Sequence, residues 1–326
     1  MAAVFVLRVA RDAMLLHEGH GIVSLVVLFA ALQFATTTTY LVFVHRSITP
    51  LRMEFSLRLA RRLIGEIKAF SGSSLLGAVA ARPEVLILSL LKNDAQIGFY
   101  SAALRIVDVW QAIPETYMRN VFPVLSHSYH VENGRELRAM LDKSIKYLMA
   151  LSLPLATGMF AAAAPIVVTL YGSGFEESVG AVRIMAWYVP LVFLQEIFWR
   201  VLAARNQQHL LLRAQVISLT ARLSIGYILI TWLASRGAAI NVSVILAAHC
   251  ALLIFYVQSD GTRLGILRLS WRLSIAAAIT GVLAAVLLLQ SELWLVVPAS
   301  ALAYGVMVVT LRAVSVEELG ALRKIW

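Results

Sequence analysis

The stretch AQVISLTARLSIGYILITWLASRGAAINVSVILAAHCALLIFYVQ, residues 214–258, holds two apolar runs, 214–234 and 238–258, parted by Ser235-Arg236-Gly237. Each run matches the ~20 apolar residues that carry an α-helix across a bilayer at about 1.5 Å per residue. Its only Lys, Arg, Asp or Glu residues are Arg222 and Arg236, and His249 sits in the second run. Working outward with the same measure gives further spans near 22–44, 70–91, 98–124, 145–171, 180–203, 272–290 and 293–311. With the opening pair that makes nine. Residues 1–15 are apolar but short, and Arg8, Arg11 and Asp12 interrupt them. Those charges follow the apolar run instead of preceding it, which excludes a secretory signal. The segments are too long, and too free of strict alternation, for a closed β-barrel. The expected fold is all-α: a polytopic bundle of about nine transmembrane helices.

Composition agrees. The 326 residues are 60% hydrophobic and 14% charged, with a mean hydropathy of +0.81. A soluble domain of this length has too little interior to hide so much apolar surface. Cys250 is the one cysteine, so an intrachain disulfide or a cysteine-based metal site is excluded.

The net charge of +10 raises nucleic acid as a partner, but its distribution argues otherwise. Arg46, Arg52, Arg58, Arg61, Arg62 and Lys68 lie between the first two spans. Arg135, Arg138, Lys143 and Lys146 lie between the third and fourth. Arg205 and Arg213, then Arg263, Arg268 and Arg272, occupy later alternate loops, and Arg312, Arg323 and Lys324 follow the last span. The intervening loops carry only Lys92, Arg183 and Arg236. Basic residues in every second loop are the positive-inside pattern. It predicts a cytoplasmic C-terminus, places His17 to His20 outside, and assigns the basic charge to the cytosol and anionic headgroups, with no nucleic acid.

The connector between the first two spans repeats Leu51, Phe55, Leu59, Leu63 and Ile67 every four residues, with Arg58, Arg61, Arg62, Glu66 and Lys68 between them. That spacing predicts an amphipathic helix at the membrane surface. Tyr171-Gly172-Ser173-Gly174-Phe175 reads as a tight glycine reversal. It lacks the lysine and the preceding strand of a phosphate-binding loop. Pro83, Pro114, Pro154, Pro165 and Pro190 fall in or near helices and predict breaks or kinks, which membrane bundles tolerate.

Four short elements occur in order: Gln96-Ile97-Gly98-Phe99-Tyr100-Ser101-Ala102-Ala103, Phe122-Pro123-Val124-Leu125-Ser126, Leu170-Tyr171-Gly172-Ser173-Gly174-Phe175 and Arg236-Gly237-Ala238-Ala239-Ile240. Their order and spacing resemble the polysaccharide flippases of the multidrug/oligosaccharidyl-lipid/polysaccharide exporter superfamily, of the O-antigen (Wzx-like) type. The resemblance covers roughly residues 20–260. It implies a two-lobed MATE-like plan: 1–45 the remnant of a first lobe (the end of helix five and helix six), 46–69 a cytoplasmic amphipathic linker, 70–258 the second six-helix lobe, and 259–326 a terminal helix pair with a cytoplasmic tail. Most of the first lobe would then be missing.

The implied function is transport of polyprenyl-pyrophosphate-linked oligosaccharide, O-antigen or exopolysaccharide repeat units, across the bacterial cytoplasmic (inner) membrane. The implied partners are that lipid-linked oligosaccharide, membrane lipids, a polysaccharide polymerase and a chain-length regulator. No cofactor is implied, and the coupling ion is a proton or sodium. Three alternatives stand beside it: a multidrug or cation exporter, a membrane glycosyltransferase or acyltransferase, and an inactive truncated fragment. The scattered aspartates form no Asp-x-Asp motif, and His17-Glu18-Gly19-His20 lacks the spacing of a helical zinc site. Both points weigh against an enzyme.

Charges at bilayer depth are costly and usually face a cavity or a partner. Arg105 and Asp108 stand at i, i+3 in span 98–124, and Arg82 and Glu84 interrupt span 70–91. Arg222 has no partner near it in sequence. A pyrophosphate cargo calls for guanidinium groups, whose planar fork takes phosphate oxygens in pairs. Arg105 is the first candidate for substrate binding, with Arg82 and Arg222 behind it. Asp108 and Glu84 would hold those arginines or take the coupling ion. Glu115/Arg119 and Glu196/Arg200, both at i, i+4, read as neutralised pairs. His249 reads as a buried, hydrogen-bonded histidine. Trp110, Trp187, Trp199, Trp271 and Trp294 read mainly as an interfacial belt.

Overall fold

The computed structural model describes residues 22–47, 81–131, 135–259, 265–289 and 293–310, and all regular structure among them is helical. The chain divides into two units, 1–73 and 74–326. The first is represented by α1, Ile22–Ser47. Its Thr36, Thr37, Thr38 and Thr39 each donate a hydroxyl to the carbonyl four residues back, at 2.6–2.9 Å. Four consecutive hydroxyls are thereby satisfied inside one exposed apolar helix, as a lipid environment requires. The expected linker at 46–69, the segment 1–15, the start of the 70–91 span and the tail beyond 310 lie outside the described residues.

The second unit runs α2 Pro83–Leu91, α3 Asp94–Asp108, α4 Ala112–Val131, α5 Arg135–Ala161, α6 Ala163–Tyr171, α7 Ser178–Ala186, α8 Tyr188–Ala204, α9 Gln208–Ser259, α10 Ile266–Leu287 and α11 Leu293–Thr310. Its core is built around α8, whose Phe193, Ile197, Phe198, Val201 and Leu202 are fully buried. This helix packs on α4, α5 and α9, while α10 lies along α5 and carries α11. Outward-facing Val216, Ile217, Tyr227, Ile228 and Trp232 of α9 are exposed. An apolar face of that kind belongs against lipid. Three described helical segments are long and apolar enough to cross a membrane (Arg138–Ala161, Gln208–Ser259, itself two helices joined at a kink, and Arg268–Leu287), and the bent pair α7–α8 makes a fourth if it is one span.

The helix breaks follow from proline sterics. A proline ring collides with the carbonyl four residues earlier and supplies no N–H to it. Pro114, Pro165 and Pro190 each lie in the first turn of α4, α6 and α8. Four residues before them stand Trp110, in the 3-10 turn Val109–Gln111, then Ala161 and Ala186, the last residues of α5 and α7. The α7–α8 break bends the pair by 42°. Pro83 opens α2, where its missing N–H has no intrahelical partner to lose. Pro154 differs, sitting inside a continuous α5.

α9 is an antiparallel hairpin. As one straight rod its 52 residues would span about 78 Å, more than twice the ~30 Å apolar core of a bilayer. Ser218 and His249 would then lie about 46 Å apart, yet Ser218 Oγ and His249 Nδ1 are 2.7 Å apart. The chain reverses at Ala234, with φ 48° and ψ −125°. Gly237 follows because a Cβ there would overlap the Leu229 carbonyl. The expected spans 214–234 and 238–258 are the two arms of this hairpin.

The glycine reversal is also found: Gly172 has φ 83°, and Ser173–Phe175 forms a 3-10 turn. Around the Ala234 end, three sparsely charged connections meet. Lys92 Nζ donates to the Thr231 carbonyl at 3.0 Å. Gln96 accepts from the Ser235 N–H at 3.2 Å and donates to Glu177 Oε2 at 3.1 Å, and Arg236 packs on Gly180. At the opposite ends of the α9 arms, Arg205 Nη1 donates to the Val257 carbonyl at 3.1 Å.

Candidate functional site

Two ion pairs tie α2 to its neighbours. The first begins at Glu84, in the first turn of α2. Arg222, on the first arm of α9, donates Nε to Glu84 Oε1 at 2.8 Å and Nη2 to Oε2 at 2.6 Å. Asn241, on the second arm, donates Nδ2 to Glu84 Oε1 and to the Arg222 carbonyl, both at 3.0 Å. The forked guanidinium and the planar carboxylate match in the two-point geometry that makes such pairs strong. Asn241 then bolts both arms of the hairpin to α2. The approach needs Gly226: a Cβ there would sit 2.7 Å from Asn241 Nδ2 and 3.2 Å from Ile87 Cδ1. The Glu84 side chain is 1% exposed and that of Arg222 21%.

The second pair joins Arg82, the residue before α2, to Asp108, the last of α3. Arg82 Nη2 donates to Asp108 Oδ2 at 2.7 Å, with side chains 49% and 22% exposed. Gln111 Nε2 donates to the other oxygen, Oδ1, at 3.0 Å. The short reversal at Lys92 and Asn93 folds α3 back beside α2. It places Arg82 next to Asp108 although 26 residues separate them.

Beyond Arg222 a polar cavity of about 170 Å³ opens between α8 and the hairpin, lined among others by Tyr188, Gln195, Trp199, Gln215, Ser218 and His249. The bond to Ser218 fixes one ring nitrogen of His249, while Nε2 is buried without a partner among the described residues.

The structure therefore gathers four of the five expected site residues, Arg82, Glu84, Asp108 and Arg222, into two pairs. Arg105 is not drawn in. Its side chain is exposed, and the i, i+3 neighbour Asp108 is occupied by Arg82 instead. The i, i+4 pairs form as expected, Arg119 to Glu115 and Arg200 to Glu196, each at 2.7 Å. Sequence reasoning assigns no site role to Asn241 or Gly226, which complete the Glu84 pair. A small polar residue and a glycine in apolar runs are individually unremarkable, and the signal lies in their juxtaposition across a hairpin. His249 is buried and hydrogen-bonded, as its position in an apolar run suggests.

Residues 4–180, just over half of the chain, match the family described as polysaccharide biosynthesis protein. The chain is 26% identical over 204 residues to the probable low-salt glycan biosynthesis flippase Agl15 of Haloferax volcanii, covering 63% of this chain and 43% of that protein. Its structure resembles the lipid II flippase MurJ in an inward closed conformation, with a TM-score of 0.64 and 14% identity, over 80% of this chain and 57% of that one. The second likeness is one of fold. The chain spans about half the length of each of these proteins.

Proposed function

The chain belongs to the polysaccharide biosynthesis protein family, and on that premise we propose that it moves a lipid-linked glycan precursor across the membrane. The observation that carries this reading is the pair of charge clusters, Arg82–Asp108 and Arg222–Glu84, held within a bundle of apolar spans. Charges are retained at such depth where they face a path for polar cargo or hold moving parts together. The flippase likenesses in sequence and fold support the same direction.

In finer terms, the cargo is an oligosaccharide on a polyprenyl pyrophosphate, and the glycan leaves chemically unchanged. Arg105, exposed and outside both pairs, takes the pyrophosphate. Arg82 is the second candidate, since its pair with Asp108 is open enough to exchange partners. Arg222 is the third, because Glu84 already fills its fork. Asp108 and Glu84 hold these arginines or take the coupling proton or sodium ion. The bundle comprises about nine spans, with 70–258 as a second lobe after the 46–69 linker and 259–326 as a terminal pair and tail. Three weakly charged loops meeting at the Ala234 end, and basic loops lying away from it, support a cytoplasmic C-terminus in a bacterial inner membrane. A polymerase and a chain-length regulator would take up the product.

The test is translocation in vesicles loaded with a polyprenyl-pyrophosphate oligosaccharide, read by a membrane-impermeant glycosidase. Protein-dependent access of the glycosidase is expected, with the glycan's mass unchanged until that enzyme is added, and Arg105→Ala should abolish it while leaving membrane expression intact. Equal exposure in protein-free vesicles would refute transport. Normal transport by Arg105→Ala would refute the pyrophosphate assignment alone. A change in the glycan's mass would point to a transferase, and efflux of a cationic dye in place of glycan would point to a drug exporter.

A further inference from the structure

At the basic end of the second unit, α5 and α10 run parallel, since Gly281 packs on Thr157 and the N-terminal turns of both helices border one cavity. That cavity has a volume of about 480 Å³. Arg138 and Lys146 of α5 and Arg268 and Arg272 of α10 stand in its wall, facing one carboxylate, Asp142. Two helix N-termini add partial positive charge to the four cations. α10 in particular starts at Gly265, which also lines the cavity and provides no side-chain cap. The adjacent wall carries Trp271, exposed and lying under the Arg272 guanidinium at 5.3 Å. An exposed tryptophan where two apolar spans begin marks the headgroup level of a bilayer.

The Asp142 carboxylate has its own implication. Oδ1 is buried without a hydrogen-bond partner among the described residues. A purely cationic hollow would suit any phosphate. One with a carboxylate in its wall suits a phosphate whose substituent donates hydrogen bonds.

We propose that this cavity between α5 and α10 is a binding site for the headgroup of an anionic phospholipid, with the phosphate among Arg138, Lys146, Arg268 and Arg272 and a glycerol-type hydroxyl donated to Asp142. Its acyl chains run along the α5–α10 seam, and the bound lipid joins the terminal helices to the rest of the unit. The site needs only the membrane reading of the chain and stands apart from the question of cargo.

The purified full chain in neutral detergent would be titrated with phosphatidylglycerol and, separately, phosphatidylcholine, and retained lipid counted by native mass spectrometry. Phosphatidylglycerol should bind with clear preference. The double substitution Arg268→Gln/Arg272→Gln should weaken it about thirtyfold, at roughly 1 kcal/mol per basic residue. Arg213→Gln, an exposed arginine outside the cavity, should leave it unchanged. If the double variant is not monodisperse, Arg268→Gln alone serves, with Arg268→Lys expected to restore most of the binding. Asp142→Ala should narrow the preference for phosphatidylglycerol over phosphatidic acid. Equal losses in the Arg213 and cavity variants would reduce the effect to bulk charge and overturn the site. Equal binding of phosphatidylcholine would also overturn it. Displacement of the lipid by millimolar glycerol phosphate would reassign the cavity to a soluble anion.

Discussion

Arg222–Glu84 and Arg82–Asp108 are the same chemistry at nearly the same distance, 2.6 and 2.7 Å, and both involve a charge within two residues of the start of α2. They differ in what surrounds them. The Glu84 carboxylate is 1% exposed and takes three hydrogen bonds from two residues, both in α9. The Arg82 side chain is 49% exposed and meets its partner through one guanidinium nitrogen. Burial turns the first pair into a fastening, because neither charge can be left alone there. The open setting leaves the second pair accessible, so nothing around it forces either charge to keep its partner. The start of one short helix is therefore held by a buried clamp and by an open latch.

The sharpest way to break this comparison is to remove the buried acid. Glu84→Ala leaves Arg222 unpaired inside the bundle and should cost about 3–5 kcal/mol, seen as a large loss of thermal stability in detergent. Removing both charges, as Glu84→Leu with Arg222→Leu, should recover much of that loss, since buried pairs are often replaceable by apolar residues of similar volume. If Glu84→Ala is harmless, the clamp reading fails.

A smaller effect is expected at Gly226. Gly226→Ala pushes a methyl group to 2.7 Å from Asn241 Nδ2 and should cost about 1–3 kcal/mol through overpacking. Asn241→Ala in the same background should add less than it does alone, because the two changes disturb one contact. Full additivity would separate glycine from clamp.

The latch should respond weakly. Arg82→Ala is expected to change stability by less than about 1 kcal/mol, as for other exposed pairs. Transport, if the pair exchanges with cargo, should fall much further than stability does. Arg119→Ala closes the series: an exposed i, i+4 pair worth about 0.3–0.5 kcal/mol, with no effect on transport. Equal stability losses for Glu84→Ala and Arg119→Ala would show that depth in the bundle does not govern these pairs.

The sequence made the helices legible because their signals are local. Apolar run length located the arms of α9, Arg236-Gly237 marked the reversal between them, and prolines foretold the breaks before α4, α6 and α8. Partners were legible only within a turn of helix. Glu115–Arg119 and Glu196–Arg200 could be read from spacing, while Glu84 and Arg222 are 138 residues apart. The expected kinship of Arg105 with Asp108 shows the limit. Helical spacing says which residues share a face, but Arg82 reaches Asp108 from another helix, which only the fold of α3 against α2 determines.

The bend at Trp187 has a mechanical consequence. α8 runs for 17 residues beyond it, a rigid arm of about 25 Å at 1.5 Å per residue. A pivot of about 10° at that elbow would sweep the far tip of the arm sideways by about 4 Å. Arg205 grips the end of the hairpin at that tip, so the displacement would be handed on as leverage at the far surface. A modest change of angle beside Tyr188 would be felt a whole helix away.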